Sequence, residues 1–201
     1  MQNNYVIIRN FISPELLKYF QSKLIFFTHP RNFSGREQTS TTDTVVNEYF
    51  NDTFDIFKKI IGGDFYKTYC FAMSYNKGNK LLPHMDLITN EVSCTSCISN
   101  KSNFPIYLGK EYFVNNYNTR YTESYNYIKN LTPIEINLNE GDIAFFNGRN
   151  HFHWRYPKSD DSTYKAILTH YSKTKKRSKE YKEKTSVDVP YKNSPKGPLY
   201  T

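Results

Sequence analysis

The sequence predicts an α+β fold that is mainly β: a double-stranded β-helix, or jelly roll, with N-terminal helices packed on one outer face. Three observations carry that expectation. Two helix-start patterns occupy the N-terminal part of the chain, and near Phe65 the apolar spacing changes from helical to alternating. Short runs rich in aromatic and β-branched residues then follow one another between turn residues to the end of the apolar sequence. At 201 residues, one domain with a substantial core is expected.

Tyr5-Val6-Ile7-Ile8 is an apolar run that reads as an entry strand. Ser13-Pro14-Glu15 places a capping hydroxyl, a proline suited to the first helical position and an acid in the first turn, so a helix begins here. Leu16, Leu17, Phe20, Leu24 and Phe27 recur at helical spacing and predict one buried stripe. The polar stretch 30–42 reads as a loop. A second helix starts after Asp43, keeps Val46, Tyr49, Phe50, Phe54, Phe57 and Ile61 on one face, and stops at Gly62-Gly63. Strands are predicted over 66–75, 82–88, 92–98, 104–108, 133–138, 143–146, 151–156 and 164–171. The Tyr- and Asn-rich stretch 112–130 has no clear period and fits either a hairpin or a long loop.

The formal net charge is +8, but the charge is unevenly placed. Residues 173–201 hold nine Lys or Arg and three Asp or Glu, a surplus of +6, which leaves +2 for the rest. The division expected is therefore a single domain over 1–172 and a basic, Pro-containing tail over 173–201. A nearly neutral body argues against nucleic acid as the partner of the folded part. The sequence shows neither a signal-peptide pattern nor an apolar run of membrane-spanning length, so a soluble, cytoplasmic protein is expected. Three cysteines do not make a disulfide framework. Cys94 and Cys97, three apart on one predicted strand, would face opposite sides, which favours packing over metal binding. His29 and His170 read as structural residues, and Trp154 and Tyr156 as packing aromatics.

Chemistry concentrates in two stretches. In the first, Tyr75 to Asp86, His84 and Asp86 are two positions apart and share a face if the segment is a strand. One imidazole and one carboxylate need a second imidazole to complete the 2-His-1-carboxylate set that leaves positions on a non-haem iron open. The second stretch supplies it: Gly141-Asp142 as a tight turn, the apolar run 143–146, then His151 and His153. These two histidines would share a strand face, and only one is needed as a ligand.

The first stretch, with Tyr75, Gly78, Leu81, His84 and Asp86 in that order, resembles the proximal motif of the 2-oxoglutarate and iron(II)-dependent oxygenases, in particular their prolyl 4-hydroxylase-like branch. The second resembles the distal half, with its Gly-Asp turn, apolar strand, histidine and following basic residue. Glu91-Val92-Ser93 and Phe104-Pro105-Ile106-Tyr107 further resemble members of that superfamily from phage and marine bacteria. The resemblance selects His153, which directly precedes Trp154-Arg155, as the distal metal ligand, with His151 as the alternative. It implies a cation for the distal carboxylate of 2-oxoglutarate. Lys165, twelve positions after His153 where relatives more often have nine or ten, is the leading choice; Arg155 is the alternative, and Tyr75 is a hydrogen-bonding partner.

The activity the resemblance implies is that of an Fe(II)- and 2-oxoglutarate-dependent dioxygenase, with O2 as substrate and ascorbate as an optional reductant. It would hydroxylate an unactivated C–H bond, with a prolyl residue in a peptide or protein as the first substrate expected and a small molecule as another. Two alternatives follow from the same residues: a non-catalytic jelly-roll binding module, and a nucleic-acid demethylase that uses the basic tail. The oligomeric state is not written in the sequence.

Overall fold

The computed structural model describes residues 5–28, 36–39, 42–111 and 125–175. After strand β1 (Tyr5–Ile8), helix α1 (Pro14–Lys23) starts where the Ser13 hydroxyl accepts a hydrogen bond from the Leu16 N–H. The helix is shorter than its apolar spacing suggested: the Leu24 N–H closes it on the Phe20 carbonyl, and Phe27–Thr28 form a short strand, β2. Phe20 and Leu24 are buried, but Leu16 is 48% exposed, so only part of the predicted stripe faces the sheet. The region expected as a loop contains β3 (Glu37–Gln38), which pairs with β2 and joins it to the rest of the sheet through Glu37↔Ser74 and Gln38↔Met73. Helix α2 (Thr44–Ile61) is capped by the Asp43 carboxylate, which accepts from the Val46 N–H at 3.0 Å, and it ends at Gly62, whose φ of 75° suits glycine.

The remaining strands are β4 (Tyr66–Tyr75), β5 (Leu81–His84), β6 (Val92–Ser99), β7 (Ile106–Gly109), β8 (Pro133–Ile136), β9 (Ile143–Phe146), β10 (His153–Arg155) and β11 (Tyr164–Ser172). They form two antiparallel sheets, ordered β1-β9-β6-β11-β4-β3-β2 and β5-β10-β7-β8. This is the double-sheet jelly roll with helices on one outer face. All eight predicted strands are present, though β5 and β10 are shorter than the predicted 82–88 and 151–156. The chain leaves both ladders where the Asp86 N–H donates to the Gly148 carbonyl at 2.8 Å, so the segments after β5 and before β10 bond each other as loops. Of 112–130, only a 3-10 turn at Tyr125–Ile128 and its neighbours are described; the rest of that stretch, His29, and residues 176–201 of the basic tail lie outside the described residues.

Strand alternation sorts the core into three layers. Between the helices and the large sheet, Phe20, Tyr49, Phe50 and Phe57 meet Phe145, Ile167 and Tyr171. Between the two sheets lie Met73, Tyr75, Leu81, Ile106, Phe146, Tyr164 and Ala166. Outside the small sheet, Trp154 packs with Met85, Phe152, Tyr107 and Tyr125, which places it away from the inter-sheet space. Cys94 belongs to the helix-side layer and Cys97 to the inter-sheet layer, on opposite faces of β6 as strand geometry requires. Burial pushes both thiols up to about 12, so they are protonated at neutral pH.

Candidate metal centre

His84 ends β5 and His153 begins β10, and the two are register partners across adjacent antiparallel strands. Side chains paired in this way lie on the same sheet face, and the imidazole rings stand 4.2 Å apart on the inner side. Asp86 joins them from the loop after β5 rather than from the strand itself. Its Oδ1 lies 3.6 Å from His84 Nε2 and 3.6 Å from His153 Nε2. One ligand atom from each of the three buried residues falls within 4.8 Å of the others. Bonds of about 2 Å to a shared ion put donors roughly 3–3.5 Å apart, so a small contraction would suit a metal.

The backbone orients both rings. His84 Nδ1 lies 2.9 Å from the Leu82 carbonyl, and His153 Nδ1 lies 3.2 Å from the His151 carbonyl. A carbonyl only accepts, so each Nδ1 donates to it, and that bond turns each Nε2 toward Asp86. Burial, reinforced by the neighbouring His153, pushes His84 down to about 4 against the opposing pull of Asp86. For Asp86, burial alone would raise the carboxyl, but the charge and hydrogen bonding of His153 and the hydrogen bond of His84 hold it well below the ordinary range. A neutral imidazole beside an ionised carboxylate is the protonation state that binds a divalent metal.

His151 is not part of this group. It is buried, its Nδ1 sits 3.0 Å from the Gly109 carbonyl, and it precedes β10 in a bend, so it does not share the strand face expected for it. The other expected site residues separate by strand parity. Tyr75, on β4, lines the cavity that also contains the triad. Arg155 faces inward like His153: its guanidinium donates to the Phe104 carbonyl and, at 2.9 Å, to the Tyr164 hydroxyl, and it packs over the rings of Tyr75, Phe104 and Tyr164. Lys165 is not brought to the cavity. It alternates with Tyr164 and Ala166, which point inward, and its ammonium instead lies 5.3 Å over the ring of Phe26 on the helix side.

Arg36 and His170 also line this cavity, and sequence reasoning missed both. Arg36 reaches it just ahead of β3, with Nη1 3.4 Å from the Tyr75 hydroxyl and the guanidinium 5.9 Å over its ring. No periodicity marks it, since it falls in a polar stretch whose two-residue strand is too short to show a pattern. His170 was legible from alternation with Tyr164, Ala166 and Leu168. Its Nε2 is 3.9 Å from Asp86 Oδ2, its ring stacks on Tyr69 at 4.3 Å, and burial pushes its pKa down.

No protein-family model and no curated protein sequence matches the chain. Solved structures do. HygX from Streptomyces hygroscopicus, with nickel and 2-oxoglutarate bound, superposes with a TM-score of 0.67 at 12% identity over 86% of this chain and 84% of that one. SnoK, a non-haem α-ketoglutarate-dependent carbocyclase of nogalamycin biosynthesis, gives 0.64 at 12% identity over 85% and 79%. A Pseudomonas putida prolyl-4-hydroxylase gives 0.60 at 9% identity over 86% and 94%. With sequence identity this low the likeness is one of architecture: the chain has the double-stranded β-helix fold that it shares with HygX, SnoK and the prolyl-4-hydroxylase.

Proposed function

We propose that the protein is an Fe(II)- and 2-oxoglutarate-dependent dioxygenase, with His84, Asp86 and His153 as the metal ligands. The observation that carries this reading is the convergence of two oriented Nε2 atoms and one carboxylate oxygen inside a fold shared with HygX. The donor set fits the ion: two imidazoles and one carboxylate on one side leave further positions for cosubstrate and oxygen. Bound there, iron with 2-oxoglutarate would supply oxidation of a C–H bond by O2, coupled to decarboxylation of the cosubstrate to succinate and CO2. The balance is R–H + 2-oxoglutarate + O2 giving R–OH + succinate + CO2.

The chain's own residues bind, orient and shield. His84 and His153 keep their Nε2 atoms on the inner face through the Leu82 and His151 carbonyls. Arg36 and the Tyr75 hydroxyl, next to each other on the cavity wall, are the pair we assign to the distal carboxylate of 2-oxoglutarate, in place of Lys165. Arg155 backs that wall with a positive charge already satisfied by Phe104 and Tyr164. Met73, Leu81, Ile106 and Phe146 exclude water around the reacting atoms. The Pseudomonas prolyl-4-hydroxylase shares the fold, so prolyl peptides open the substrate screen; aminoglycosides come next, since HygX has been crystallised with hygromycin B.

The test is anaerobic addition of Fe(II) and 2-oxoglutarate to metal-free protein, read as the visible charge-transfer band of the chelate. The expected band appears in the wild type and is lost in Asp86→Ala. No band in folded wild-type protein overturns the reading in favour of a non-catalytic jelly-roll binding module.

A further inference from the structure

We infer that Ser93 and Gly148 form a clamp that holds Asp86 in one-oxygen coordination, a positioning role that rests on the metal reading above. The two carboxylate oxygens of Asp86 have different neighbours. Oδ1 faces His84 and His153, each at 3.6 Å. Oδ2 accepts a hydrogen bond from the Ser93 hydroxyl on β6 and has His170 Nε2 at 3.9 Å. A carboxylate oxygen held by a hydroxyl is less available to a metal, so Oδ1 is the one presented to the ion.

Gly148 supplies the other half of the clamp. Its carbonyl accepts the Asp86 N–H at 2.8 Å, which fixes the backbone on which the carboxylate stands. A Cβ at Gly148 would lie 2.5 Å from Ser93 Oγ and 2.9 Å from Asp86 Cγ, and would overlap Oδ2 itself. The absence of a side chain therefore leaves the space that the Ser93–Asp86 hydrogen bond occupies. With Oδ2 so confined, Asp86 cannot rotate to offer both oxygens, and a coordination position that a two-oxygen carboxylate would fill stays open for cosubstrate or oxygen.

Cobalt(II) is the probe, because its ligand-field absorption responds to the number of coordinating oxygens and is independent of turnover. Wild type, Ser93→Ala, Ser93→Thr and Gly148→Ala are titrated with Co(II), with folding checked by circular dichroism. Ser93→Ala should bind about 10–100-fold more weakly and show an altered spectrum, and Ser93→Thr, which keeps the hydroxyl, should restore both. Gly148→Ala should weaken Co(II) at least as much as Ser93→Ala. Wild-type affinity and spectrum in folded Ser93→Ala would overturn the clamp while leaving the metal reading intact. Absence of Co(II) binding by the wild type would overturn the metal reading and the clamp together.

Discussion

At the scale of single residues, the cavity separates three cations that the sequence alone could not rank. Lys165 is one residue out of phase with the inward face of β11, and Arg155 is inward but committed to Phe104 and Tyr164. Arg36 lines the cavity beside Tyr75. Removing a cation that bonds a carboxylate costs about 1.5–3 kcal/mol, or about 10–100-fold in affinity. Arg36→Ala should therefore raise the 2-oxoglutarate concentration needed for half of the charge-transfer band by that factor. Lys165→Ala should leave it unchanged, and a large effect of Lys165→Ala with none for Arg36→Ala would reverse the assignment. The grouping of His84, Asp86 and His153 was readable because its spacing is local or tied to a recognisable turn. The pairing of Arg36 with Tyr75 was not, because it spans 39 positions and depends on a strand of only two residues.

At the scale of elements, α2 shows which sequence patterns translate directly into structure. Its face of Val46, Tyr49, Phe50 and Phe57 is buried as the spacing requires, and its ends coincide with Asp43 and Gly62. Asp43→Ala removes the capping oxygen from the Val46 N–H and should cost about 1 kcal/mol, seen as a fall of about 2–4 °C in Tm. Phe57→Ala should cost about 3–5 kcal/mol, since the ring is fully buried and packs edge-on against Phe145 at 4.9 Å. If the two losses were equal, the cap rather than the face would anchor the helix. Strand ends were less legible than helix ends. A capped helix stops for local reasons, whereas β5 stops at His84 because the loop holding Gly148 comes from 64 residues further along and takes the Asp86 N–H out of the ladder.

At the scale of the whole molecule, the fold buries imidazoles in their neutral form, and that couples stability to pH. His84 falls from 6.5 to about 4 on folding, through burial and the neighbouring His153, and burial lowers His170 as well. Between the folded and unfolded values the unfolded chain binds more protons than the native one, so stability rises with pH across that window and is lost as pH falls. The limiting slope is about 1.4 kcal/mol per pH unit for each imidazole that stays neutral when folded. Working between pH 5 and 7 keeps most carboxylates ionised in both states, so the change belongs to the histidines. Chemical denaturation of the metal-free protein should therefore show a clear loss of stability from pH 7 to 5. His84→Asn should flatten the slope by up to one imidazole's share, because the proton taken up on unfolding at that position is gone. A slope unchanged by His84→Asn would mean that His84 is charged in the folded, metal-free protein. The site would then have to release a proton before a metal could bind, and its affinity would fall tenfold for each pH unit below the pKa of that imidazole.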